Sequence, residues 1–171
     1  ITEIMYNPVP GGGLDGDAYE FVELGNTGGG PIDLSGVRLD GGIEYEFPEG
    51  TVIEAGAFMV LAIDAAAFAA RYPGVPLAGV YARNLSNAGD TFTLAAADGE
   101  LLREIAFSDA WPWPAEADGM GRSLVPVDES AADDPAEAAY WRASLAPGGS
   151  PGRGDEALPS GGQIPGDLNQ D

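Results

Sequence analysis

The chain contains no cysteine, no histidine and no lysine. The lack of cysteine excludes disulfide bonds and metal sites built on thiolates. The lack of histidine excludes imidazole metal ligands and every catalytic triad in which histidine is the general base. Because neither histidine nor lysine is present, the serines have no obvious activating base. Catalysis would therefore have to use carboxylates alone, as glycosidases do.

Positive charge is also scarce. Seven arginines face 28 aspartates and glutamates, which gives a net charge of −21. This excess repels phosphate backbones and anionic lipids, so nucleic acid and membrane surfaces are poor partners. The acids are dispersed, which favours a solvated surface in water or brine and leaves divalent cation binding as the alternative.

Long hydrophobic runs are missing as well. The longest apolar stretch begins at Ala57, is interrupted by Asp64 and is too short to cross a bilayer. No signal peptide is visible. Since Ile1 opens directly on a strand pattern, we expect the natural chain to begin further upstream.

What the chain does have is 26 glycines and 14 prolines that separate short runs of aliphatic, aromatic and β-branched residues. This spacing is typical of an all-β sandwich or barrel. Asp-Gly pairs at 40–41 and 98–99 predict hairpins. Eight runs are candidate strands, enough for two packed sheets: residues 1–7, 19–24, 37–39, 43–47, 57–63, 91–96, 101–107 and 122–127.

One segment departs from the strand pattern. Asp64 precedes an alanine-rich stretch with apolar residues three to four apart, which predicts a short capped helix that ends before Pro73. After residue 128 the composition shifts to acids and alanine, and we expect Trp141 to pin this strip across the sandwich. Residues 153–164 lack any apolar run and are predicted to be a flexible linker.

Six collinear stretches within residues 1–152 carry a family resemblance: "ITEIMYNP", "YEFVELGNTG", "IDLSGVRLDGGIEYEFPEGTVIEAGAFMVLA", "LSNAGDTFTL", "ADGMGRSL" and "WRASLAPGGSPG". Together they resemble a lamin tail domain of bacterial secreted and surface proteins. The resemblance implies an immunoglobulin-like β-sandwich. In animal lamins this domain acts through protein contacts, whereas the bacterial members of the family are mostly modules of multidomain extracellular proteins without an assigned activity. Gly25 stands where the family often has an aromatic residue, and Val37 stands where a tryptophan is common.

The final residues have a different character. Asp167, Asn169 and Asp171 occupy the first, third and fifth positions of a calcium loop whose remaining ligands are absent. "GDLNQD" is similar to the opening of a dockerin-type or EF-hand-like calcium repeat, although six polar residues can also match by chance. The resemblance divides the chain into a sandwich domain, 1–152, and a linker with the start of a dockerin-like module, 153–171.

Two further groups are candidate sites. Asp15, Asp17 and Glu20 follow one another around a glycine-rich loop, where a turn could gather their carboxylates about calcium; a solvated turn is the favoured alternative. Trp111 and Trp113 alternate with prolines and could form a rigid aromatic platform for a sugar or a proline-rich partner. The favoured alternative is that both rings plug the open end of the sandwich.

Among the remaining polar residues, Asn87 and Asp90 are explained by a tight turn. Glu20 and Glu23 lie three residues apart on a presumed strand and therefore point to opposite faces, which argues against a catalytic pair. We find no phosphate loop, nucleophile elbow or dinucleotide fingerprint. The sequence therefore predicts that the chain is not an enzyme.

The leading hypothesis is a non-catalytic extracellular or cell-surface module that serves as a spacer, adhesion or assembly unit of a larger bacterial protein. It requires no cofactor and contacts protein partners or other copies of itself. One alternative is a carbohydrate- or ligand-binding module that uses Trp111 and Trp113, with or without calcium. Another is a subunit that assembles into filaments through its sheet edges.

Overall fold

The computed structural model describes residues 1–128 and 134–156, and within these residues the chain is mostly strands with one short helix. The predicted all-β sandwich with a single helix is therefore confirmed. The elements in chain order are β1 (Glu3–Met5), β2 (Phe21–Gly25), β3 (Ile32–Asp33), β4 (Arg38–Gly41), β5 (Tyr45–Glu46), β6 (Val52–Ile53), β7 (Phe58–Ala62), α1 (Ala65–Arg71), β8 (Leu77–Val80), β9 (Gly89–Ala95), β10 (Leu101–Ser108), β11 (Leu124–Pro126) and β12 (Trp141–Ala143).

The strands form two main sheets and one small ribbon. The larger sheet has the order β12-β11-β1-β2-β7-β8, the smaller has the order β10-β9-β4-β5, and β3 pairs with β6. Neighbouring strands are antiparallel except for β7 and β8, which α1 connects in parallel. Such a parallel pair needs a crossover connection, and the helix supplies it.

The main core lies between the two sheets. Ile4 and Leu124 from the larger sheet pack in one cluster with Leu39, Phe92 and Ile105 from the smaller sheet, and all are almost completely buried. Burial of each such side chain contributes about 1.5 to 3 kcal/mol to stability. The apolar residues of the candidate strands thus meet where strand alternation places them.

A second cluster lies under α1. Phe68 on the helix packs edge-on against Phe21 of β2, with ring centroids 5.8 Å apart. The carboxylate Oδ1 of Asp64 accepts hydrogen bonds from the backbone N–H groups of Ala66 at 2.8 Å and Ala67 at 3.0 Å. The predicted helix cap is therefore confirmed, and such a cap contributes about 1 kcal/mol.

Both Asp-Gly hairpins are present. β4 pairs with β5 and β9 pairs with β10, and Gly99 has a φ of +92°, a backbone angle that favours glycine. Gly25 has a different reason to lack a side chain. A Cβ atom there would lie 2.5 Å from Thr2 Cγ2 and 3.2 Å from the Phe58 ring. Phe58 thus occupies the space beside Gly25.

Every candidate run contains a strand, but four strands were not predicted. β3 and β6 have only two residues each, β8 includes a glycine, and β12 lies in the acidic and alanine-rich strip. Trp141 begins β12, is 4% exposed, and donates from its indole Nε1 to Pro135 O at 3.0 Å. The predicted pinning of the strip by Trp141 is confirmed. Within the described residues, no helix has the length and apolar character that a membrane span requires.

Candidate functional site

The connection between β10 and β11 carries two of the candidate residues, and we call residues 109–121 the tryptophan loop. Backbone hydrogen bonds close it into successive turns, from Trp113 N to Ala110 O at 3.0 Å and from Ala117 N to Pro114 O at 3.1 Å. Its far side is fastened to the sandwich, because Asn7 Nδ2 donates to Asp118 Oδ1 at 2.7 Å. The loop is therefore held at several points along its length.

The two indole rings of the tryptophan loop have opposite environments. Trp113 is partly buried and packs against the main core, whereas Trp111 is 91% exposed. The plug interpretation thus describes Trp113 and is wrong for Trp111. A ring that points into solvent is available to a ligand.

Acidic residues flank Trp111 in the tryptophan loop. Asp109 and Glu116 are exposed, and Asp118 is half-buried. Burial raises the pKa of Tyr6, and the charges of Asp118 and Asp109 raise it further, so both carboxylates lie at the Tyr6 end of the sandwich. The Tyr6 hydroxyl is buried and has no hydrogen-bond partner among the described residues.

Two other features complete the loop. Arg122, which follows the loop directly, donates from Nη1 to the carbonyl oxygens of Ser144 and Leu145, so its charge is directed away into the C-terminal segment. Met120 is 67% exposed. The loop therefore presents exposed apolar side chains together with carboxylates.

The predicted calcium residues have different environments. Glu20 is completely buried and accepts from Leu85 N at 2.8 Å through Oε2. Asp17 Oδ1 accepts from Asn87 Nδ2 at 3.3 Å, and Asp15 is exposed ahead of the 3₁₀ turn Gly16–Tyr19. In the ranges 1–128 and 134–156, no three acidic side chains are grouped so that they could hold a metal ion. Calcium binding by the sandwich stays a prediction.

The other polar candidates are resolved in part. Asp90 accepts from Thr91 N at 2.8 Å and from Ser86 N at 3.3 Å, which fits the predicted turn. Asp167, Asn169 and Asp171 lie outside the described residues, so the dockerin-like start also stays a prediction. The first four residues of the predicted linker, 153–156, lie against the sandwich instead of leaving it, because Asp155 is buried there.

Three buried carboxylates hold this C-terminal segment, and the sequence did not predict them. We call Glu3, Glu23 and Asp155, with the backbone of residues 144–156, the carboxylate latch. Glu3 accepts from Ser150 N at 2.9 Å and from Ser123 Oγ at 2.5 Å. Glu23 accepts from Gly152 N at 2.6 Å, and Asp155 pairs with Arg142 at 2.5 Å.

Burial raises the pKa of two acids. Burial raises the pKa of Glu3 to about 7 against the opposing effect of its hydrogen bonds from Ser123 and Ser150. Burial likewise raises the pKa of Glu20 to about 8, with the backbone N–H of Leu85 acting in the opposite direction. A raised carboxylate pKa is also found in general acids. Here, however, both carboxyl groups are covered by the chain itself.

The predicted separation of Glu20 and Glu23 agrees with their contacts. Glu20 bonds Leu85 N, whereas Glu23 bonds Gly152 N. Glu23 instead lies opposite Glu3 in the β1–β2 register. The one sequence signal for these buried acids was a glutamate inside the apolar runs "ITEIMY" and "EFVEL". A carboxylate at such a position needs internal hydrogen-bond donors.

The two-sheet architecture with an apolar interior defines an immunoglobulin-like β-sandwich domain. The lamin tail domain matches residues 1–109, more than half of the 171 residues, and the chain belongs to that family of non-enzymatic domains. No curated protein and no solved structure matches the chain. The family match ends at Asp109, so almost all of the tryptophan loop lies beyond it.

Proposed function

We propose that this domain is a non-catalytic interaction module of a secreted or cell-surface protein and that it binds a protein partner through the tryptophan loop. The observation that carries the proposal is the 91% exposure of Trp111. Tryptophan is enriched among the residues that dominate binding energy at protein interfaces. An indole that is exposed to this degree is therefore most simply explained by a partner that covers it.

The neighbouring side chains support the same surface. Met120 and Val9 are also exposed, and a Cβ atom on Gly121 would lie 3.1 Å from Val9 Cγ2, which places residue 9 beside the end of the loop. Apolar side chains rimmed by polar ones are typical of interaction sites. The secreted location rests on the resemblance to bacterial surface modules and on the dockerin-like "GDLNQD".

Carbohydrate binding is the second candidate, and the same exposed ring favours it, because an indole face can stack on a sugar. Only one of the two rings of the predicted aromatic platform is available to a sugar, since Trp113 packs against the core. Filament assembly is less favoured because a net charge of −21 opposes contact between copies. A single exposed ring thus fits a peptide segment better than an extended sugar platform.

The proposal is tested by selecting ligands from a random peptide library and from an oligosaccharide array with the full chain. We expect selected peptides to bind at least tenfold more weakly to Trp111→Ala. The matched control is Leu101→Ala, because Leu101 is 58% exposed at the opposite end of β10. An eight-residue strand separates the two positions by roughly 25 Å. Equal loss in both variants, or none in either, would overturn the proposal.

A further inference from the structure

The chemistry around Trp111 restricts the kind of peptide that it can bind. The face of an indole ring is electron-rich and attracts cations, and guanidinium groups stack on it most often. Because Trp111 is 91% exposed, both faces of its ring are open to solvent. An arginine or lysine side chain can therefore reach the ring without rearrangement of the loop.

The carboxylates of the loop add to this preference. Asp109 and Glu116 lie within five residues of Trp111 in sequence and are exposed. Asp118 lies at the same end, because its charge and that of Asp109 both act on Tyr6. Two arginines lie next to the loop: Arg122 donates to the carbonyl oxygens of Ser144 and Leu145, and Arg71 donates to the carbonyl oxygen of Val9 and lies over the Tyr19 ring. Both arginines are thus engaged within the chain, and the exposed carboxylates of the loop complement a positive partner.

We infer that the partner of the tryptophan loop is a cationic peptide segment, whose arginine stacks on the indole of Trp111 while Asp109 and Glu116 pair with its charge. This inference rests on the proposed function and names the chemistry of its partner. A second copy of the chain is disfavoured as the occupant because like charges repel. A neutral sugar would stack on the ring but would leave the carboxylates without a role.

The experiment follows the indole N–H resonances of the full chain by NMR, since three tryptophans give three assignable signals. The probe is the short peptide acetyl-Gly-Arg-Arg-Gly-amide, and its matched control has glutamine in place of arginine. We expect the arginine peptide to move the Trp111 signal saturably and to leave the Trp113 and Trp141 signals in place. The glutamine peptide should move none of them.

Variants separate stacking from bulk charge. Trp111→Ala should weaken binding at least about fivefold, the loss expected for a cation–π contact of moderate strength. The pair Asp109→Asn and Glu116→Gln should weaken binding several-fold and flatten its salt dependence. The matched pair Asp98→Asn and Glu49→Gln removes the same charge at exposed positions elsewhere and should have little effect.

The outcomes distinguish failure of the cationic partner from failure of the proposed function. If the arginine peptide leaves the Trp111 signal in place, or if the matched charge pair weakens binding as much as the loop pair, the cationic partner is wrong. If a proline-rich peptide or an oligosaccharide then moves the Trp111 signal, the ring still binds a ligand. In that case the proposed binding site stands and only the cationic nature of the ligand is wrong. If no library ligand depends on Trp111, the proposed function fails as well.

Discussion

The carboxylate latch and the tryptophan loop invert the usual distribution of side chains in opposite ways. At the latch, Glu3 and Glu23 are charged residues with 1% exposure or less. At the loop, Trp111 is a large apolar residue that is almost fully exposed. Charged groups are rarely buried and large aromatic rings are rarely exposed, so both regions call for an explanation. Only at the latch do contacts within the chain account for the unusual burial.

Internal partners make that difference. Each carboxylate of the latch accepts hydrogen bonds from named donors of the same chain, which offsets the cost of its burial. The backbone is fitted to this arrangement as well. Gly149 has a φ of +74°, and a Cβ atom there would lie 1.9 Å from Glu3 Oε1, so only glycine fits. An unusual residue that is satisfied internally indicates a structural role, whereas one that is not points to a ligand.

Replacement of tryptophans should show most strongly the difference between a side chain with internal contacts and one exposed to solvent. Trp141→Ala should lower the free energy of unfolding by about 3 to 5 kcal/mol, because it removes a buried ring from the core. Trp111→Ala should change it by less than about 0.5 kcal/mol, as is usual for exposed positions. Urea denaturation of both variants measures the difference. A cost of several kcal/mol for Trp111→Ala would show that the ring is needed by the fold.

Removal of one latch carboxylate gives the next largest effect. Glu3→Ala leaves the Ser150 N–H and the Ser123 hydroxyl without their buried acceptor. We expect a loss of about 3 kcal/mol in the free energy of unfolding, since each unsatisfied buried donor costs about 1 to 3 kcal/mol. The exposed Glu49→Ala is the control and should be nearly neutral. Similar denaturation midpoints for the two variants would contradict a structural latch.

Titration of the buried acids should make stability fall as pH rises. The folded state holds the protons of Glu3 and Glu20 more tightly than the unfolded state, because their pKa values are raised from 4.5 to about 7 and about 8. Stability from these groups is fully present below pH 4.5 and is lost as pH rises through 7 and 8. We expect a decline of several kcal/mol between pH 5 and pH 9, since each pKa unit between the folded and unfolded states corresponds to about 1.4 kcal/mol.

A variant isolates one group from the general repulsion of this acidic chain, which acts in the same direction. Glu20→Gln keeps an oxygen that can accept from Leu85 N but cannot ionise beside Tyr81, whose pKa is raised by burial and by the charge of Glu20. Its stability should decline less between pH 5 and pH 9 than that of the unaltered chain. Glu49→Gln should leave the decline unchanged. Parallel pH profiles for Glu20→Gln and the unaltered chain would show that Glu20 does not titrate in this range.

The smallest expected effect concerns the end of the latch. Asp155→Ala removes the ion pair with Arg142 and the acceptor of the Leu145 N–H. The expected loss is about 1 to 2 kcal/mol, because Arg142 is partly exposed and can be solvated in the variant. The neighbouring Glu156→Ala is exposed and should be neutral. Equal melting temperatures for the two variants would show that residues 153–156 do not stabilise the sandwich and belong to the linker.

Sequence patterns predicted the fold well, because a sandwich is encoded by features that are local. The eight apolar runs, the Asp64 cap and the Asp-Gly hairpins each depend on a few consecutive residues. The two-residue strands β3 and β6 have no periodicity of their own, since only their pairing defines them. Strand β12 was missed because its neighbours in sequence are acids and alanines, and only Trp141 signalled its burial.

The latch was harder to predict for a physical reason. The contact from Glu3 to Ser150 spans 147 residues, and no spacing in the sequence encodes it. Composition does not distinguish among the 28 acids, so it could not show which of them are buried in the fold. The tryptophan loop was recognised as unusual, but the alternation Trp-Pro-Trp-Pro could not tell which ring faces the core. Burial distinguishes Trp111 from Trp113, and burial is a property of the assembled fold.

The latch also brings the two ends of the sandwich together. Thr2 donates to Glu23, Glu23 accepts from Gly152, and Glu3 accepts from Ser150, so residues 2–3 and 150–152 of the sandwich lie side by side. A domain with neighbouring ends can be inserted into a surface loop of a host protein without forcing that loop apart. A short linker between residues 2 and 152 would thus close the sandwich into a circular permutant without distorting either sheet.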